Sequence, residues 1–274
     1  MADNFNFHET FQPELAYIAR ILELAADECN GDKFQISNIT GIPTGKEKGK
    51  VEPHIKYATF MGLINYEVNR GVYSLSLTSL GSEVWEQDKY LHEELSLWLL
   101  HYCITRREIG APQWSYLVHK INDGFNTETS TNYISSLIQK NFAVNSSDAS
   151  KGISVVKNCY ESGALSRLQY LEWEDKLRFR EQTEDLQYQY LYAYALLDAW
   201  DHTFPNKKEI TLLEVIDTIG YGKVFGFNEE ELDSVLSTMA DNGMVSINRQ
   251  LFPVTIIRTT SAEDVIRKLY SSLM

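Results

Sequence analysis

Three short clusters carry residue types able to do chemistry. His8-Glu9-Thr10 sets an imidazole beside a carboxylate, a pair suited to acid–base work or to metal ligation. The same triplet also reads as a helix start, with Thr10 as cap and Glu9 as a first-turn acid. Asp198, Asp201 and His202 recur at i, i+3 and i+4, so on a helix they share a face. Two carboxylates there can hold Mg or Mn for a metal-dependent cut of the DNA backbone, or can simply be solvated surface. His92-Glu93-Glu94 falls within an acidic run, net −4 over residues 83–94, and reads as solvated. Any catalytic role therefore falls to His8, Glu9, Asp198 or Asp201. There is no Walker lysine loop, no Gly-x-Gly-x-x-Gly, no His-Glu-x-x-His and no Gly-x-Ser-x-Gly, which removes the common NTPases, dinucleotide enzymes, zincins and serine hydrolases.

A fourth cluster is electrostatic. The 274 residues carry a formal charge of −13, which argues against a nonspecific nucleic-acid coat, because phosphate binding is driven by Lys and Arg. Local charge decides a local contact. Gly45-Lys46-Glu47-Lys48-Gly49-Lys50, continued through Glu52, His54 and Lys56, is net +2. Gly45, Lys46, Lys48, Lys50, His54 and Lys56 are the candidate DNA-facing positions, with a solvated loop as the alternative.

Around this island the periodicity predicts a helix over 14–28, further helical turns over 35–40, and a helix after Pro53 stopped at Met61-Gly62. Two strands follow, 63–68 and 72–77, joined through Asn69-Arg70-Gly71. That order is the winged helix-turn-helix order, in which the third helix enters a major groove. A second set of the same signals lies near the C-terminus. Residues 210–216 are a short apolar helix candidate, and Asn228 caps a helix carrying Leu232, Val235, Leu236 and Met239. Strands follow at 244–247 and 252–257. The second copy begins Glu229-Glu230-Glu231, within a run of net −5 over 228–242, and reads as structural or protein-facing. Between the two, Leu95–Ile104, 114–121, 129–139, 154–160 and the aromatic stretch 186–204 predict helices. Ser261 with Asp264 caps a last one. The expected fold class is mainly α with short β-hairpins: a winged-helix domain over 1–82, a helical middle over 83–184 and a winged-helix-like domain over 185–274.

Hydrophobic residues make up 43 % of the chain, ordinary for a globular protein. The start lacks a signal-peptide pattern and no run reaches the ~18 apolar residues of a membrane span. The three unspaced cysteines, Cys29, Cys103 and Cys159, read as buried thiols of a reducing cytoplasm.

Several segments, in order, resemble a known family. Phe7-His8-Glu9-Thr10-Phe11 is similar to its Gly-His-Glu-Thr-Phe opening, and Gly45-Lys46 with Gly62-Leu63-Ile64 to its Val-Gly-Lys-Asn and Gly-Leu-Ile segment. Leu77-Thr78-Ser79-Leu80-Gly81, Leu97-Trp98-Leu99-Leu100-His101 and Tyr194-Ala195-Leu196-Leu197-Asp198-Ala199-Trp200 match three later motifs. The family is a bacterial domain of unknown function whose genes accompany PAPS-reductase-like and cysteine-desulfurase genes. SspB-like components of DNA phosphorothioation and phage-defence systems belong to it. The resemblance implies a cytoplasmic protein that acts on DNA within a sulfur-modification or restriction system. It implies double-stranded DNA and the system's other proteins as partners, a possible homodimer, and a proposed nicking activity. Glu47 stands where the family has Asn, and Tyr57 where it has Trp. The competing expectation is a non-catalytic winged-helix adaptor that docks partner proteins, or a transcriptional regulator.

Overall fold

The structure is a computed structural model that describes residues 5–125, 127–250 and 252–273. Its helices and strands recur in one order. In the first unit, α1 (Leu15–Ala26) leads to β1 (Asn30–Asp32), α2 (Lys33–Thr40), α3 (Val51–Phe60), β2 (Ile64–Asn69) and β3 (Val72–Leu77). α1 lays Ile18, Ile21, Leu22 and Ala25 on one buried face. Asp32 stops β1 and starts α2 through a capping box with Gln35, its carboxylate accepting the amides of Phe34 and Gln35. Gly41 and Gly62 end α2 and α3 in the left-handed region that favours glycine. β1 pairs with β3, and β3 with β2, all antiparallel, with Val68 opposite Tyr73 and Ile64 opposite Leu77.

The second unit follows two linking helices, α4 (Ser79–Asp88) and α5 (Glu94–Thr105). It contains α6 (Pro112–Tyr116), which continues as a π-helix over Leu117–Ile121, then β4 (Glu128–Ser130), α7 (Thr131–Phe142), α8 (Ser146–Glu161), β5 (Leu171–Trp173) and β6 (Lys176–Phe179). The third contains α9 (Gln189–Thr203), β7 (Glu209–Thr211), a π-helix over Glu214–Ile219, α10 (Tyr221–Phe225), α11 (Glu229–Asp241), β8 (Val245–Asn248) and β9 (Thr255–Arg258), followed by α12 (Ala262–Ile266). In each sheet the first strand lies along the third and the third along the second.

The expectation of a mainly helical chain with small antiparallel sheets holds. Two readings change. The middle is not purely helical: Leu171 faces Phe179 and Trp173 faces Leu177 across β5 and β6, sealing one side of a third small sheet. The helix expected over 210–216 starts two residues later: Ile210 and Thr211 are strand residues paired with Ile256 and Thr255, and helical backbone runs from Leu212 to Ile219, with Leu213 and Ile216 exposed and Val215 buried.

One glycine fixes how the first unit joins the rest. Thr78 caps α4 by accepting the Gly81 amide and donates its hydroxyl to the Gly62 carbonyl. This presses Gly81 onto the Leu63 backbone so closely that a Cβ there would overlap the Leu63 carbonyl. Gly81→Ala is therefore expected to destabilise the protein by about 3 kcal/mol, the upper end for overpacking, because backbone cannot repack as a side chain can. Thermal unfolding of the purified variant checks this, and an unchanged midpoint would refute the close approach.

Eleven consecutive residues of α5, Leu95 to Thr105, are buried. Within it, His101 donates from Nε2 to the Val224 carbonyl (2.7 Å) and accepts the Tyr160 hydroxyl at Nδ1 (2.6 Å), joining the second and third units. The C-terminal segment is tied back by Tyr270, whose hydroxyl meets Ser96, itself bonded to the Asp88 carboxylate. Among the described residues no helix is long and apolar enough to cross a membrane. Cys103 and Cys159 are buried, whereas Cys29 is only half-buried.

Candidate functional site

The sequence candidates separate into three places. At the N-terminus, His8 is buried and its Nδ1 accepts the Thr10 amide (3.0 Å), which leaves Nε2 as the protonated nitrogen, without a partner among the described residues. Burial is the main reason its pKa falls to about 4. Glu9 and Thr10 both adopt positive φ, 49° and 83°, uncommon for residues with side chains. Glu9 Oε2 and Gln12 Oε1 are also buried without a partner. The triplet is thus a kinked turn and not the start of a helix.

The second place is the loop before α3. Its ends are close-packed: the Lys50 amide bonds the Pro43 carbonyl (2.8 Å), and a Cβ on Gly49 would overlap Thr44. Glycine at 45 and 49 lets the loop fold on itself and hold Lys46, Glu47 and Lys48 outward. Both lysines are exposed, and among the described residues neither takes part in an ion pair. The remaining members of the island turn inward. Lys50 is paired with Glu14 (2.6 Å) and lies over the rings of Phe11 and Tyr17. His54 is fully buried, donating from Nδ1 to the Lys50 carbonyl and accepting the Glu14 amide at Nε2, with its pKa lowered mainly by burial. Lys56 is half-buried on the same helix as Glu52, whose carboxylate is engaged by Lys33 and the Tyr73 hydroxyl. α3 buries Val51, Pro53, His54, Ile55, Tyr57 and Ala58. An outward charge therefore remains on the loop, and little of α3 is free to face a ligand.

The third place is α9. Asp198 accepts the Tyr102 hydroxyl, sits 3.6 Å from Arg106 and 3.7 Å from His202. Asp201 is paired with Arg258. The two carboxylates are held by different arginines and do not converge. Among the described residues no group of three or more His, Cys, Asp or Glu is placed to hold a metal. This donor set does not fit Mg or Mn, and no step is assigned to a metal here.

One cluster escaped the sequence reading. Arg107, Glu108 and His119 line both a void of about 30 Å³ and an adjoining cleft of about 570 Å³. His119 donates from Nε2 to the Thr105 carbonyl (2.9 Å), and its Nδ1 is buried and unpartnered. Arg107 Nε is likewise buried without a partner.

Residues 5–270 match the family described as Protein of unknown function (DUF4007). The chain belongs to that family. No curated protein matches it. Two solved structures share its fold. One is titled "SspB crystal structure", with a TM-score of 0.79 and 17 % identity. The other is titled "Magnesium ion-bound SspB crystal structure", with a TM-score of 0.78 and 16 % identity. Each comparison covers 98 % of this chain and 88 % of the other.

Proposed function

We propose that this DUF4007 protein is the DNA-contacting component of a DNA phosphorothioation and phage-defence system of the SspB kind. In this reading the three repeated units are winged-helix modules, and the first unit rests on duplex through its glycine-bounded loop. The PAPS-reductase-like and desulfurase-like proteins of such a system would be its partners. The observation that carries the reading is the fold shared with SspB structures over 98 % of the chain. The outward placement of Lys46 and Lys48 supports the DNA contact. Inside the reading, the family's nicking chemistry finds no support in Asp198 and Asp201, each of which is held by an arginine.

Electrophoretic mobility of a duplex at several salt concentrations tests it. Each phosphate neutralised contributes about −0.9 to the slope of log affinity on log salt. Lys46→Ala and Lys48→Ala are each expected to reduce that slope by about one. Slopes equal to that of the parent protein would remove the loop from the interface. Absence of any duplex binding would remove the reading itself. A second reading, an adaptor that docks proteins, is favoured by Phe34 and Ile39, exposed on α2 beside the same loop.

A further inference from the structure

The Arg107–His119 cleft is built where the third unit meets the segment that follows α5, around a missing side chain. Gly220 has φ +73°, and a Cβ there would sit 2.9 Å from Arg107 Nη2 and 3.0 Å from His119 Nδ1. Both nitrogens therefore face one small space that glycine keeps open. The void of about 30 Å³ has room for one water-sized atom group, and the cleft beside it, also lined by Lys120, Ser115 and Tyr116, has room for a larger group.

The charges around this space are unbalanced. Lys120 is exposed, Arg107 is half-buried, and among the described residues neither takes part in an ion pair. Glu108 is the one carboxylate lining either space, and its attraction for Arg107 is outweighed by burial, which lowers the guanidinium pKa. From the third unit Lys223 approaches His119 while donating to the Asn122 carbonyl (2.6 Å). Arg106 and His202 close the far wall, both beside Asp198. An unpaired guanidinium and an ammonium around one space, in a chain of charge −13, call for an anion, and the unpartnered His119 Nδ1 accepts from a protonated oxygen of it or donates to it once protonated.

We propose that this cleft binds a phosphate group, with one oxygen in the void between Arg107 and His119 and the others facing Arg107 and Lys120. A planar, forked guanidinium matches a tetrahedral oxyanion well. Burial, then Arg107, hold His119 neutral with a pKa of about 4. A bound phosphate offsets the smaller, cationic part of that lowering and raises the His119 pKa, so that on acidification Nδ1 takes up a proton and donates to the phosphate as Nε2 does to Thr105. Because the bound state holds more protons, phosphate affinity rises as pH falls.

The phosphate has two sources, a nucleic-acid backbone or free inorganic phosphate. The backbone source rests on the function proposed above; the cleft does not. The test is histidine-selective NMR of the full chain, titrated first with inorganic phosphate and then with a short duplex. Inorganic phosphate is expected to move the His119 resonances at neutral pH, and to move them further at pH 6 than at pH 7.5. Arg107→Gln and Lys120→Gln are expected to weaken binding about tenfold. Lys120 is exposed, so that variant does not depend on refolding the site. Binding of phosphate unaltered by Lys46→Ala with Lys48→Ala separates the cleft from the loop. If duplex moves the same resonances, and Lys120→Gln weakens duplex binding, the backbone is the source. If duplex binds through the loop and leaves His119 unmoved, free phosphate is the ligand. No movement of His119 at millimolar phosphate overturns the cleft, whether or not duplex binds elsewhere. Phosphate binding without any duplex binding overturns the function proposed above and leaves the cleft standing.

Discussion

Acidification from pH 7 to about 4.5 is expected to unfold the protein before its carboxylates titrate. His8, His101 and His119 are buried, and each is held neutral with a pKa near 4, burial being the largest cause in every case. In the unfolded chain each returns to about 6.5. Between those values the unfolded state binds more protons than the folded one, so stability rises with pH and is lost as pH falls from about 6.5 to 4. The contribution is roughly 3 kcal/mol for each imidazole at the bottom of that window. Three such losses rival the 5–15 kcal/mol that holds a typical domain together. His101 shows why they are severe: its Nδ1 accepts a tyrosine hydroxyl in a fully buried site. Protonation there faces one donor with another. Thermal midpoints at pH 7.5, 6.5, 5.5 and 4.5 should fall steeply through the lower half of the range. A flat profile down to pH 4.5 would contradict the neutral, buried state of these rings.

Asp198→Ala is expected to destabilise the protein by about 3–5 kcal/mol, while Asp201→Ala costs no more than about 1 kcal/mol. The difference is burial. Arg106 and Asp198 side chains are 14 % and 13 % exposed, and Asp198 also takes the hydroxyl of Tyr102, whose pKa is raised by burial and then by that carboxylate. Removing the carboxylate strands a buried guanidinium, the costly half of a broken ion pair. Asp201 is 45 % exposed and its pairing with Arg258 is screened by water. Urea unfolding of the two variants measures this directly. Equal midpoints would show that Arg106 has another outlet for its charge. Loss of any activity in an Asp198 variant accordingly counts as catalytic only where the variant remains folded.

The first unit was legible because its signals are local. Apolar spacing marks α1, glycine marks the ends of α2 and α3, and two strands flank Asn69-Arg70-Gly71. The nearly all-apolar run at Leu95–Ile104 likewise marked a helix buried on all sides. The middle sheet was missed because its strands are three or four residues long, too short for periodicity to stand out. A signal existed all the same: Leu171-Glu172-Trp173 and Leu177-Arg178-Phe179 alternate on either side of Glu174-Asp175. Over residues 210–216 the apolar spacing marked a helical stretch but set its start two residues early, because Ile210 and Thr211 pair with β9 before helical backbone begins at Leu212. At the site, Lys46 and Lys48 are exposed on the loop. His54 is not exposed, because the Glu14 amide and the Lys50 carbonyl recruit it into the core. Arg107, His119 and Gly220 could not be joined from sequence. Their meeting depends on how the third unit packs beside α5 and α6, and no spacing rule encodes that.

The enclosure of α5 sets how the molecule can breathe. Helices from all three units pack against it, α3 from the first, α6 from the second, α9 and α10 from the third, so none can swing away without wetting a strip of apolar helix. Partial opening is thereby suppressed, and the amides of Leu97–Cys103 should exchange deuterium at the rate of the slowest, whole-chain excursion. A ligand met by one unit is then met by a rigid frame, and any rearrangement in an assembly falls to the partner.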